Sequence, residues 1–174
     1  IEDDADYCTA VATIVNAGIL SGYEDDTFKP EKEITRAEFA AIAAGFVGES
    51  YEGENLFTDI EEHWAAEDIN LTEAGWVEAG GEFRPAEKIT RAEVVSIINR
   101  MLGRTPSADH MLSYMNTWTD NMDTSAWYYA DIQEATNSHG HEIVEDVENW
   151  TELQQNKDWS TLEKIWAAEY SVND

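Results

Sequence analysis

Apolar positions along the chain fall into helical stripes separated by loops rich in glycine, aspartate and proline. Tyr7, Val11, Ile14 and Val15 recur at the spacing of a helix of about three turns, and Ala17-Gly18-Ile19 closes it with glycine where a left-handed cap belongs. Residues 21–30, Ser-Gly-Tyr-Glu-Asp-Asp-Thr-Phe-Lys-Pro, predict a loop that folds back and buries Tyr23 and Phe28. Phe39, Ile42, Ala43 and Phe46 form the stripe of a second helix ending at Gly48, before an acidic connector over residues 49–55. The plan then returns, with Val94, Ile97, Ile98, Met101 and Leu102 on one helix face and Gly103 at its end. A last helix is predicted from Ser160-Thr161-Leu162-Glu163, with Leu162, Ile165, Trp166 and Tyr170 on one face.

The return is a true repeat. Ile34-Thr35-Arg36-Ala37-Glu38-Phe39 reappears as Ile89-Thr90-Arg91-Ala92-Glu93-Val94. Tyr7 matches Trp64, Ala17-Gly18 matches Ala74-Gly75, Phe28 matches Phe83 and Pro30 matches Pro85, an offset that holds over four landmarks. A third, degenerate copy follows: Trp118-Thr119-Asp120 answers Phe57-Thr58-Asp59, and Trp127 to Ile132 answers Trp64 to Ile69. Where its capped helix should begin stands Asn149-Trp150-Thr151-Glu152, with tryptophan in the arginine's place. The expected divisions are residues 1–50, 51–106 and 107–174, the last carrying the extra helix.

Each hexapeptide reads as a helix start. Thr35 with Glu38, and Thr90 with Glu93, have the spacing of a capping box, and Ile34 and Ile89 that of a hydrophobic staple. Helix initiation does not explain Arg36 and Arg91, because a cation at the first helical position faces the positive end of the macrodipole. A guanidinium beside free N-terminal amides is a ready seat for a carboxylate or phosphate; pairing with one of the chain's own carboxylates is the plainer alternative.

Composition narrows the partners. Ten Lys and Arg against 37 Asp and Glu give a formal charge of −27, which argues against nucleic acid or anionic lipid as a broad-surface partner, so any anion must be caught locally. The 43% hydrophobic content supports a folded core, and no window has the length of a membrane span. Cys8 is alone and reads as a small core residue. A chain opening at Ile1, with no methionine or signal peptide, is expected to be a piece of a longer exported protein.

The residues quoted from 17–42 and 57–102 resemble the S-layer homology family of bacterial surface modules. The resemblance implies a mainly α fold, three helix-loop-helix repeats in a pseudo-threefold spindle around a central helical bundle. It also implies non-covalent anchoring at the extracellular bacterial cell wall or S-layer, through a pyruvylated secondary cell wall polysaccharide held in grooves between repeats. The family's arginine contact carries onto Arg36 and Arg91 within Thr35 to Glu38 and Thr90 to Glu93, and its groove residues onto Gly22, Tyr23, Trp64 and Trp127. Tyr7 departs from the family's first tryptophan, the second loop lacks Gly-Tyr, and Trp150 replaces the third arginine, so at most two competent grooves are expected.

Other chemistries carry less. Trp64, Trp127 and Trp150 are candidates both for stacking on sugar and for the core. A glycosidase needs two carboxylates at a fixed separation, which 37 acidic residues make uninformative, and Glu38 and Glu93 already have a capping role; no catalysis and no cofactor are expected. The acidic loop lacks the ligand order of an EF-hand. His139 and His141, with Glu142 or Glu145, lack a third strong ligand, so no metal is expected, and His63 and His110 are isolated. The competing reading is a protein-docking or lattice-assembly module with structural arginines.

Overall fold

A computed structural model describes residues 7–47, 50–73, 79–155, 157–158, 160–162 and 164–165. The chain divides into two compact units, Ile1–Gly103 and Arg104–Asp174. No helix among the described residues is long and apolar enough to cross a membrane.

In the first unit, α1 spans Cys8–Asn16 and ends as the sequence predicts. Gly18 has φ +73°, and the amides of Gly18 and Ile19 donate to the carbonyls of Val15 and Ile14, the pattern that satisfies a helix's last carbonyls. The next helices are α2 Arg36–Val47, α3 Ala66–Glu73 and α4 Arg91–Met101. Both expected capping boxes are present. Glu38 and Glu93 accept from the amides of Thr35 and Thr90 at 2.8 Å, while the threonine hydroxyls accept from the glutamate amides at 3.2 and 3.3 Å.

The buried face of α2 shares only Ala43 with the stripe expected. Ala37, Ala40, Ala43 and Ala44 are buried, whereas Phe39 and Ile42 are half-buried and Phe46 is exposed. Small side chains let α2 lie close against the segment of Ala65 and Ile69, and the larger residues Ile60 and Phe83 complete the core. Complete burial of each such side chain contributes about 1.5–3 kcal/mol. In α4, Ile97 is buried beside Ser96 and Asn99, while Ile98 and Leu102 lie open to solvent, so its apolar stripe is also broken. Cys8 is half-buried rather than a core residue. Gly48, Ala74, Gly75 and the expected lead-in over residues 1–4 lie outside the described residues.

The two repeats are joined through their entry segments. Thr35 and Lys88 form an antiparallel bridge, and the amides of Arg36 and Ala37 donate to the carbonyls of Glu87 and Pro85 at 2.8 and 3.1 Å. Asp59 anchors the second repeat's loop, accepting from the amides of Phe83 and Arg84 at 2.8 Å each. Lys29 and Arg84, at equivalent places in the two loops, both have positive φ, 53° and 59°.

The second unit keeps the first half of the plan. Helix α5, Tyr129–Thr136, follows Trp127 as α3 follows Trp64, and the turn bond from the Tyr129 amide to the Ala126 carbonyl repeats that from Ala66 to His63. The second half departs from it. Residues 149–152, expected to open a capped helix, lie in a hairpin of β1 His139–Val144 and β2 Val147–Leu153. Its two-residue turn, Glu145 and Asp146, has φ of 52° and 64°, which matches the right-handed strand twist. Ile143, Val144, Val147 and Thr151 favour strands, and that preference prevails over the cap signal at Asn149. Residues 160–162 and 164–165 are helical, as predicted, but the side chain of Asp158 caps them by accepting from the Thr161 amide. Glu163, Trp166 and Tyr170 lie outside the described residues.

Candidate functional site

Gly22, Tyr23, Glu38 and Trp64 meet at one groove of about 530 Å³ in the first unit. Its walls are the loop of the first repeat, the start of α2 and the tryptophan that leads the second repeat. The loop closes through the Tyr23 amide, which donates to the Thr27 carbonyl at 2.8 Å, and Asp25 holds the Thr27 hydroxyl at 2.6 Å. Glycine is needed at position 22, where a Cβ would stand 2.9 Å from the Thr27 carbonyl oxygen. Tyr23 is not buried as expected. Its ring lies at the surface with the ammonium groups of Lys29 and Lys32 at 4.3 and 4.5 Å from the centroid. Trp64 is 67% exposed, a broad apolar face set beside these charges.

Two lysines supply the groove's positive charge. Lys32 Nζ donates to Glu38 Oε1 at 2.8 Å and to Tyr23 Oη at 2.9 Å, and its hydrogen bond to Glu38 raises its pKa. Burial pushes the Glu38 carboxyl up, but the bonds from Lys32 and Thr35 outweigh it and hold the group below its ordinary value. Lys29 pairs with Asp25 at 2.8 Å, and that bond, with the one from Thr27, draws Asp25 down to about 2. An ammonium has three donors, so Lys32 keeps one beyond these two contacts. Sequence reasoning passed over both lysines. The signal was there: in a chain with ten basic residues, Lys29, Lys32 and Arg36 fall within eight positions, and Lys29 and Arg36 recur as Arg84 and Arg91.

The two arginines have different surroundings. Arg36 does not line the groove; its guanidinium pairs with Glu93 of the second repeat, donates from Nε to the Phe83 carbonyl at 2.7 Å and lies 4.6 Å from the Phe83 ring centroid. The amides of α2's first turn are also occupied, so the free-amide seat expected beside Arg36 is closed. Arg91 is exposed, without an ion pair or side-chain hydrogen bond among the described residues, and no described acceptor meets its amide or that of Ala92. Thr90 and Glu93 brace the turn beneath it. Burial raises the Glu93 carboxyl, but the Thr90 bonds and the Arg36 charge more than offset this, and the group is held low.

In the second unit Trp127 is 61% exposed, while Trp150 is 6% exposed, stacked on His139 with ring centroids 3.9 Å apart and donating Nε1 to Glu134 at 3.0 Å. His139 and His141 lie with Glu148 and Glu134, and not with Glu142 of β1 or the turn residue Glu145 that the sequence offered. Across the hairpin, β2 brings Glu148 to the histidines, a pairing invisible to a reading that made this segment a helix.

The S-layer homology domain family matches residues 2–40 and 56–95. The chain is 36% identical over 146 residues to a "Cellulosome-anchoring protein" of Acetivibrio thermocellus, covering 79% of this chain and 32% of that protein. It is 31% identical over 160 residues to "Cell surface glycoprotein 1" of the same organism, covering 83% and 7%. With an "S-layer protein" of Bacillus licheniformis it shares 34% identity over 94 residues, covering 51% and 11%. The chain thus spans about a third or less of these relatives. The repeated capping boxes, the loop that Gly22 permits and the two matched segments identify it as a member of the S-layer homology domain family.

Proposed function

We propose that the chain is a non-catalytic anchoring module that holds an acidic, pyruvate-bearing wall polysaccharide at the outer surface of a bacterial cell. The observation that carries this reading is the groove, where an exposed tryptophan, a tyrosine and two ammonium groups face one space of ligand size. A sugar ring packs on Trp64 and Tyr23, while its carboxylate takes the free donor of Lys32 in exchange for water. Arg91 and the amides of Arg91 and Ala92 form the second seat, a guanidinium fork beside N–H groups that no described acceptor meets. Each charge-assisted bond contributes about 1.5–3 kcal/mol before desolvation, so one seat is weak and a polymer engaging several gains by effective concentration. The names of the relatives, which speak of anchoring, cell surface and S-layer, support the same assignment.

The docking or lattice reading has one observation in its favour: Arg36 ties the two repeats together through Glu93, a structural use of the motif's arginine. Co-sedimentation with purified wall sacculi separates the two. The anchoring reading expects Trp64→Ala and Arg91→Ala each to reduce pelleting, and chemical stripping of wall polysaccharide to abolish it. Pelleting that survives both treatments supports the docking reading instead.

A further inference from the structure

The geometry points to a transition-metal site in the second unit, formed by His139, His141, Glu148 and Glu134, that takes Zn²⁺ in place of the Arg104 guanidinium. His139 Nε2 stands 3.1 Å from Glu148 Oε1 and 3.3 Å from Glu134 Oε1, and His141 Nδ1 stands 3.3 Å from the same Glu148 oxygen. Four ligands on arms of about 2.0 Å, tetrahedrally arranged, are separated by about 3.3 Å. Three edges of the cluster already have that length.

The ring orientation supports the same conclusion. His139 Nδ1 lies 2.7 Å from the Asn137 carbonyl oxygen, which can only accept, so Nδ1 carries a proton and Nε2 is the atom turned to the carboxylates. A histidine held this way by a backbone carbonyl is oriented as a metal ligand usually is. Trp150 fixes the other oxygen of Glu134 and stacks on the ring, so neither group needs to move far. Nitrogen donors select a zinc-like ion over calcium or magnesium.

Arg104 is the present cation of this cluster, with NH1 at 2.8 Å from Glu148 Oε1, 3.5 Å from Glu134 Oε1 and 3.3 Å from His141 Nδ1. Both nitrogens of His139 face acceptors, Nδ1 the Asn137 carbonyl and Nε2 the two carboxylates, so a divalent ion bound here replaces two single charges, the guanidinium and the proton shared between Nε2 and Glu148. The Arg104 side chain is 35% exposed and has solvent on one side into which to withdraw.

Equilibrium dialysis of the 174-residue chain against Zn²⁺, with excess Mg²⁺ to occupy the surface carboxylates, tests the proposal. One tight equivalent per chain is expected. His141→Ala, which removes an exposed ring, should weaken that equivalent at least about tenfold. Arg104→Ala should tighten it, because the competing cation is gone, and His63→Ala should leave it unchanged. Co²⁺ reads the ligands in the unaltered chain, where a tetrahedral nitrogen-bearing site gives strong visible absorption. No tight equivalent above the Mg²⁺ background, an equivalent indifferent to His141→Ala, a loss of affinity in folded Arg104→Ala, or a Co²⁺ spectrum like that of the hydrated ion would each overturn it.

Discussion

Replacing Arg36 with alanine should damage the fold far more than replacing Arg91, although the two occupy the same place in the same hexapeptide. Arg36 and Glu93 are 14% and 19% exposed at their side chains, and the guanidinium also bonds the Phe83 carbonyl and lies over its ring. Breaking a fully buried pair costs about 3–5 kcal/mol, and a hydrogen bond to a charged group is worth about 1.5–3. Water reaches part of this site, and Glu93 retains its Thr90 bonds, so about 2–3 kcal/mol is expected. For a unit the size of Ile1–Gly103, this lowers the unfolding midpoint by roughly 10–20 °C. Arg91→Ala, at an exposed position, should stay within about 0.5 kcal/mol of the parent. Urea titrations followed by circular dichroism, with the Arg36→Ala/Glu93→Gln double mutant, measure both the cost and the coupling. Equal costs for the two arginines, or no coupling between Arg36 and Glu93, would refute the reasoning. The result also governs how binding data are read, since a wall-binding defect in Arg36→Ala can arise from lost repeat packing alone.

Further outcomes follow from the same contacts. Gly22→Ala should cost about 1–3 kcal/mol, because the added methyl meets backbone rather than a flexible side chain; chemical unfolding measures it, and a neutral result contradicts the loop geometry. Asp59 and Glu93 are burdened by burial but held below their unfolded values of 3.8 and 4.5 by their hydrogen bonds, so their stabilisation is complete above about pH 4.5 and lost as pH falls below it. Burial raises Glu73 above 4.5 despite its pairing with Arg100, so its ionisation opposes folding as pH rises through that raised value. Thermal midpoints should therefore fall as the pH drops from about 4.5 toward 3, and a midpoint unchanged over that range would contradict the Asp59 and Glu93 assignments. Because a chain of charge −27 repels an anionic polymer, wall affinity should be flat or rise with moderate salt; a steep fall by sedimentation assay would sink that expectation.

The parts of the structure that rest on local chemistry could be read from the chain. The capping boxes, the glycine cap after α1 and the recurrence of the repeat depend on residues a few positions apart, and all are present. What the sequence concealed depends on long-range neighbours. The choice of alanines over Phe39 and Phe46 as the buried face of α2 is decided by how closely α3 approaches, which no periodicity records. Arg36 and Arg91 are indistinguishable in sequence, but only Arg36 finds Glu93, Phe83 and the carbonyls of residues 85 and 87 around it. Trp64 and Tyr23 line one groove, and the charges beside them, Lys29 and Lys32, are not part of the repeated arginine motif that stands out in the sequence. The hairpin was missed because Asn149 and Glu152 imitate a cap within a run of strand-forming residues.

In the proposed function, the groove between the first loop and Trp64 receives an acidic sugar. Isothermal titration of a pyruvylated disaccharide into the parent chain and into Trp64→Ala tests it most directly, with circular dichroism confirming that the exposed substitution leaves the fold intact. Measurable exothermic binding is expected for the parent, with at least a tenfold loss, about 1.4 kcal/mol, in the variant. Undiminished binding by Trp64→Ala, or no heat from the parent at ligand concentrations that saturate weak sites, would contradict it.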